Sequence, residues 1–154
     1  MFAGCPLDVW EGNKYTQRGH ELEDEAALAY ELLTGRETAT IGFVTDDDQN
    51  YGCSPDRAVG EDGLLEIKCL PKKHISMLLY IEKHGRIPPD YVPQTQGQLF
   101  VTGRKWVDLM FYHPILPDQI VRVTPVEALQ EAISEQLCVC LAERGRVLNI
   151  LEGL

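Results

Sequence analysis

The strongest chemical signal in the chain is two carboxylates and an ammonium group within Gly52–Cys69. Asp56 follows Pro55. After nine intervening residues, Glu66 and Lys68 stand with one residue between them in an apolar run, Leu64–Leu70. The intervening Gly60-Glu61-Asp62-Gly63 is turn chemistry, and Gly63 after Asp62 is a strong hairpin signal. Folding back there brings Asp56 toward the second strand. Side chains alternate along a strand, so Glu66 and Lys68 share one face and Leu65 and Ile67 the other. Charges beside buried apolar surface are costly unless paired or bound to a metal. A hard divalent cation is the simplest group that keeps two neighbouring carboxylates ionised, and oxygen donors favour Mg2+ or Mn2+ over zinc. A protonated lysine beside such an ion orients or deprotonates a water, or offsets the charge of a reacting phosphate. Taken alone, the same residues also fit a surface hairpin closed by a Glu66–Lys68 salt bridge, so the flanking elements must decide.

Those elements alternate between helix and strand. Residues 18–34 are helical, with Leu22, Ala26, Ala29 and Leu33 on one face and Gly35 at the expected C-terminal cap. Glu21, Asp24 and Glu25 read as residues of the first turns, favoured by the helix dipole and solvated, and His20 as a solvated histidine. Residues 1–17 read as an irregular lead-in. Residues 37–45 form a β-branched strand, and Asp46–Asn50 a turn that lacks the glycine and closing glutamate of a calcium loop. Beyond the hairpin, an apolar helix around Ile75–Ile81 stops at Gly85, with Lys72, Lys73 and His74 as a basic cluster at its start. Pro88-Pro89-Asp90 opens a second helix, on which Gln94 and Gln98 can share a face whereas Gln96 cannot. Residues 105–112 read as a buried central strand and 119–123 as its neighbour nearer the edge. Thr124-Pro125-Val126-Glu127 is a capping box that opens a helix striped by Val126, Leu129, Ile133, Leu137 and Leu141.

Pro55-Asp56, nine residues, then Glu66-Ile67-Lys68 is the PD-(D/E)XK nuclease signature. Three further strings narrow the resemblance. Residues 18–26 resemble the "R-G-x-x-x-E-x-x-A" helix of YqaJ-type, lambda-exonuclease-like phage exonucleases, with Glu23 at its glutamate. Residues 91–99 resemble their "Y-x-x-Q-x-Q-G-Q-L" helix. Val-Thr-Gly-Arg-Lys-Trp follows it, ending at Trp106. The resemblance implies an α/β, restriction-endonuclease-like core, a mixed sheet flanked by helices. It implies a Mg2+- or Mn2+-dependent exonuclease that hydrolyses linear duplex DNA from the 5′ end in phage-type recombination. Two ions are implied, held by Asp56, Glu66, the Ile67 carbonyl and Glu23. Lys68 serves the attacking water, and Gln94 orients water or lysine. By the same resemblance Ser54 and, more remotely, Tyr91 contact the substrate, whereas Arg57, Lys72 and Lys73 are expected contacts from their charge alone. A single-strand annealing protein and a ring-shaped homo-oligomer are the implied partners. A nicking or structure-specific endonuclease on the same core, or a catalytically idle module of a recombination complex, are the alternatives. Two departures stand out. Arg57 replaces the family's usual glycine after Ser-Pro-Asp, and only about seventeen residues precede the Glu23 helix, which leaves the family's N-terminal phosphate-binding segment short or absent.

The whole-chain figures bound these readings. A chain of 154 residues suits one domain, spanning 1–154, with a single core. Hydrophobic content of 44% excludes a disordered chain. No apolar run of about 18 residues predicts a membrane span, and no basic-then-apolar leader opens the sequence, so a cytoplasmic setting is expected, in a bacterium or a phage-infected host. Five cysteines, an odd count, read as reduced thiols; Cys138 and Cys140 diverge on their helix and predict no iron–sulfur cluster. A net charge of −10 is awkward for a DNA enzyme. It calls for a local basic lining (Arg57, Lys68, Lys72, Lys73, His74, Lys83, Arg86) or for DNA threaded through an oligomer.

Overall fold

In the computed structural model, residues 14–152 are described, with side chains from 22 to 151. Most of the expected lead-in, with Cys5, and the side chains of His20 and Glu21 lie outside these residues. The elements run α1 (Lys14–Thr34), β1 (Thr38–Thr40), β2 (Val44–Thr45), β3 (Gly52–Cys53), β4 (Arg57–Val59) and β5 (Gly63–Cys69). They continue with α2 (His74–His84), a 3-10 turn (Pro89–Tyr91), α3 (Val92–Thr102), β6 (Trp106–Tyr112), β7 (Gln119–Val123) and α4 (Glu127–Glu152). The main sheet has the order β1-β4-β5-β6-β7, and β2 pairs with β3 in a second, two-stranded sheet. Among the described strands, only β5 and β6 are parallel; α2 and α3 form the crossover between them. The expected mixed sheet flanked by helices is therefore present.

Alternation along β5 and β6 sorts the core into two sides. Leu65, Ile67 and Met110 meet Ala26, Ala27 and Tyr30 of α1. Leu64 and Val107 meet Leu99 of α3, and Leu109 and Phe111 meet Ile81 of α2 and Ile87. Glu66 and Lys68 share the parity of Leu64, so they face α3 rather than α1.

Several expectations need correction. The hairpin joins β4 to β5 through Gly60-Glu61-Asp62, with Val59 opposite Gly63. The left-handed residue is Gly60 (φ 58°), whereas Gly63 opens the strand. Gly63 is needed for a different reason: a Cβ there would lie 2.2 Å from the Trp106 indole. Residues 37–45 are not one strand. Thr40 pairs with Arg57, the first residue of β4; Pro55, which precedes Asp56, has no N–H to extend the ladder. The chain leaves the sheet there and pairs again only at Val44. Helix α1 starts at Lys14, so its first turn holds no acidic residue. Asp24 and Glu25 are consequently not dipole partners. Asp24 pairs with Arg57, and Glu25 accepts the Tyr112 hydroxyl at 2.5 Å. Leu33 is exposed, and Tyr30 takes the buried place on that face.

Helix α4 starts at Glu127 rather than in the expected box. Gln96 of α3 accepts the Val126 N–H at 2.9 Å and donates to the Thr124 carbonyl at 2.9 Å, so a distant amide organises this helix start. Val126 and Leu129 remain exposed, and Ile133, Leu137 and Leu141 are half-buried. Gly35 and Gly85 end their helices in the left-handed conformation, as expected. Asp46 organises the turn before β3 by accepting the N–H groups of Asn50 and Tyr51. Cys53, Cys138 and Cys140 are free thiols. Among the described residues, no helix is long and apolar enough to cross a membrane.

Candidate active site

Strand β4 begins only at Arg57, opposite Leu65, so β5 runs on without a partner on that edge from Glu66 onward. Asp56 fills the gap: its Oδ2 accepts the Ile67 N–H at 2.6 Å. The N–H and C=O of one residue leave an extended strand toward the same edge. The Ile67 carbonyl therefore turns to the side that Asp56 occupies. Glu66 is buried on the α3 face. Its Oε1 accepts Lys68 Nζ and Gln94 Nε2, both at 2.6 Å, and its Oε2 accepts Gln98 Nε2 at 2.6 Å.

The hydrogen bonds are plentiful, but the charges do not balance. Burial first, and then the charge of Glu66, push the Asp56 carboxyl up to about 7 from its ordinary 3.8, with Glu23 adding to the effect. The Ile67 N–H and the Lys68 ammonium oppose this without cancelling it. Burial and the charge of Glu66 also raise the Cys53 thiol, which borders the same space. Lys68 is half-buried, with its ammonium 5.8 Å from the centre of the Tyr91 ring. Tyr91 stands edge-on to Phe111 at 5.4 Å, and burial raises its phenol.

The remaining expected residues are more dispersed. Glu23 is half-buried, with its Oε1 3.7 Å from Arg57 Nη2. Arg57 is also engaged by Asp24 and donates to Thr40 Oγ1 at 2.8 Å, so it links α1 to the sheet. Ser54 lines a cavity of about 340 Å³ together with Tyr51, Gln94, Gln98 and Phe100. Lys72 and Lys73 are exposed just before α2. His74 does not belong to the basic lining, because it is buried with Nε2 2.8 Å from the Pro117 carbonyl. Gln96 points away, to the start of α4. Gln98 joins Gln94 on Glu66, a partnership beyond the shared helix face that the sequence predicts. Its spacing of one helical turn from Gln94 was the available signal.

Among the described residues, no three His, Cys, Asp or Glu side chains gather into a group able to hold a metal ion. The acidic convergence is a pair, with Glu23 beside Arg57. The donor chemistry nevertheless fits one hard divalent cation: two carboxylates, a neighbouring main-chain carbonyl, and burial beside the charge of Glu66 that pushes Asp56 toward protonation.

The family model for the YqaJ-like viral recombinase domain matches residues 3–105. The chain belongs to this family. It is similar to the crystal structure of an alkaline exonuclease, LHK-Exo, from Laribacter hongkongensis. The TM-score is 0.79 and the identity 34%, over 92% of this chain and 74% of that one. The structure of LHK-Exo in complex with dAMP gives 0.78 and 34%, over 91% and 73%. A phage-related exonuclease from Haemophilus somnus 129PT, at 17% identity and a TM-score of 0.68 over 93% and 76%, shares the fold. A comparison with curated proteins finds no match. The expected YqaJ membership and restriction-endonuclease-like fold thus hold, and this kinship makes the YqaJ-family chain a nuclease.

Proposed function

We propose that this YqaJ-family protein is a divalent-cation-dependent exonuclease, which hydrolyses phosphodiester bonds of linear duplex DNA from the 5′ end in phage-type recombination. One observation carries the reading: half-buried Asp56 stands beside buried Glu66 with less positive charge nearby than two carboxylates require. LHK-Exo is named an alkaline exonuclease and was crystallised with dAMP, a nucleoside monophosphate of the kind that exonuclease hydrolysis releases.

Asp56, Glu66 and the Ile67 carbonyl would hold Mg2+ or Mn2+, and Glu23 would join them at a second ion on leaving Arg57. The bound cation supplies a water of lowered pKa and charge stabilisation at the phosphate. Lys68 holds the attacking water and steadies negative charge developing on the phosphate oxygens. Gln94 keeps Glu66 and Lys68 in register through their shared oxygen. Tyr91 walls the ammonium on its far side. Ser54 receives a terminal phosphate, and Arg57, Lys72 and Lys73 offset backbone charge where the net charge of the protein would repel it. This work belongs to one nuclease domain acting in the cytoplasm of a bacterium or phage-infected host, beside a single-strand annealing protein and in a homo-oligomer.

The test is digestion of end-labelled linear duplex and closed circular DNA with Mg2+. The linear duplex should be shortened and the circle left intact, with Asp56→Ala at least a hundredfold slower. A circle cut as readily as the linear duplex would make the protein an endonuclease. An unimpaired Asp56→Ala variant would remove the reading altogether.

A further inference from the structure

Gln98 holds the oxygen of Glu66 that Lys68 and Gln94 do not share. Its Nε2 donates to Oε2 at 2.6 Å, and the residue is only 3% exposed. The other end of the same amide, Oε1, is buried without a hydrogen-bond partner. An unpartnered buried acceptor is costly. Reversing the amide would be worse, because it would set a carbonyl oxygen against the carboxylate. The interaction with Glu66 thus fixes the orientation of the group at the expense of its own carbonyl. A glutamine kept only for packing or helix stability gains nothing from that arrangement.

Gln96, two residues earlier on the same helix, provides the contrast. It is equally buried, at 2%, yet its amide is satisfied at both ends by the start of α4: Nε2 by Thr124, Oε1 by Val126 and Gln130. One buried glutamine therefore joins two helices, and the other is turned on a carboxylate of the acidic pair.

We infer that Gln98 is a positioning residue for cation binding: by fixing Oε2 it sets the plane of the Glu66 carboxylate relative to Asp56. The inference rests on the cation-dependent reading above. Partners that orient a ligating carboxylate typically contribute about 10- to 100-fold to metal affinity or activity.

The experiment is an electron paramagnetic resonance titration of Mn2+ into the full chain, with thermal melts of each variant. Gln98→Met keeps the length of the side chain and removes the donor. It should remain folded and bind Mn2+ about tenfold or more weakly. Gln96→Met should lower the Tm yet bind Mn2+ as the parent does. Where Gln98→Met folds poorly, Gln98→Asn is measured instead; its shorter side chain withdraws the donor, and the same loss is expected. A folded Gln98 variant that binds Mn2+ within twofold of the parent overturns the inference while leaving the cation reading intact. A parent that binds no Mn2+ overturns both.

Discussion

Neighbouring strands of this sheet each bury acidic groups, and they treat them in opposite ways. On β6, Asp108 faces α1 and is 2% exposed. It accepts Arg122 Nε and Nη2 in a fork, both at 2.8 Å, and the Tyr30 hydroxyl at 2.7 Å. The guanidinium lies 3.7 Å from the centre of the Trp106 ring. Charge and hydrogen bonding are both complete, and the Tyr30 phenol is pushed far up by burial and by its bond to Asp108. On β5, Glu66 faces α3 beside Asp56, and two carboxylates share one nearby ammonium, that of Lys68. The amides of Gln94 and Gln98 fill acceptor sites but bring no net charge. Hydrogen bonding and charge balance are separable: Asp108 has both on one face, whereas Glu66 on the other is hydrogen-bonded at both oxygens without its charge and that of Asp56 being balanced. The closed group welds α1 to the sheet. The open one lacks the positive charge that a cation, on the proposed reading, would bring.

That contrast can be broken from either side. The largest effect is expected at the closed group. Asp108→Asn uncouples a buried ion pair and should lower stability by on the order of 3 kcal/mol in urea unfolding. Its Mn2+ affinity should stay that of the parent. A comparable loss of Mn2+ binding would mean that the two faces are not independent. A smaller effect of opposite sign is expected at the open group. The unfolded chain releases the Asp56 proton near 3.8, whereas the folded protein without metal keeps it to about 7. Stability in EDTA should therefore fall as pH rises between these values and level off above them. Asp56→Asn removes the penalty, so at pH 8 its Tm should exceed that of the parent by about 5 °C, a gap that closes toward pH 4. A Tm difference independent of pH would show that Asp56 is not under charge stress.

Local pattern carried much of this into the sequence. The strict alternation around Glu66 and Lys68 announced their shared face, and the i, i+4 spacing of Gln94 and Gln98 announced theirs. Gly35 and Gly85 marked real helix ends. What stayed hidden depended on partners distant in sequence. Nothing near Asp108 foretells Tyr30, 78 residues away. The Thr124 box looked sufficient to start α4, whereas Gln96 reaches across to organise it. Residues 37–45 have a strand's composition, but the shortness of β4 decides where their pairing stops. The acidic residues of α1 suggested a helix start because nothing in their own types discloses Arg57 and Tyr112 as partners.

Calorimetric titration of Mn2+ into the metal-free protein tests the central claim most directly. Saturable binding that disappears in Asp56→Asn and persists in Asp108→Asn is the predicted result. Binding that is absent from the parent, or that survives unchanged in Asp56→Asn, would contradict the claim that the Asp56–Glu66 pair is built around a cation.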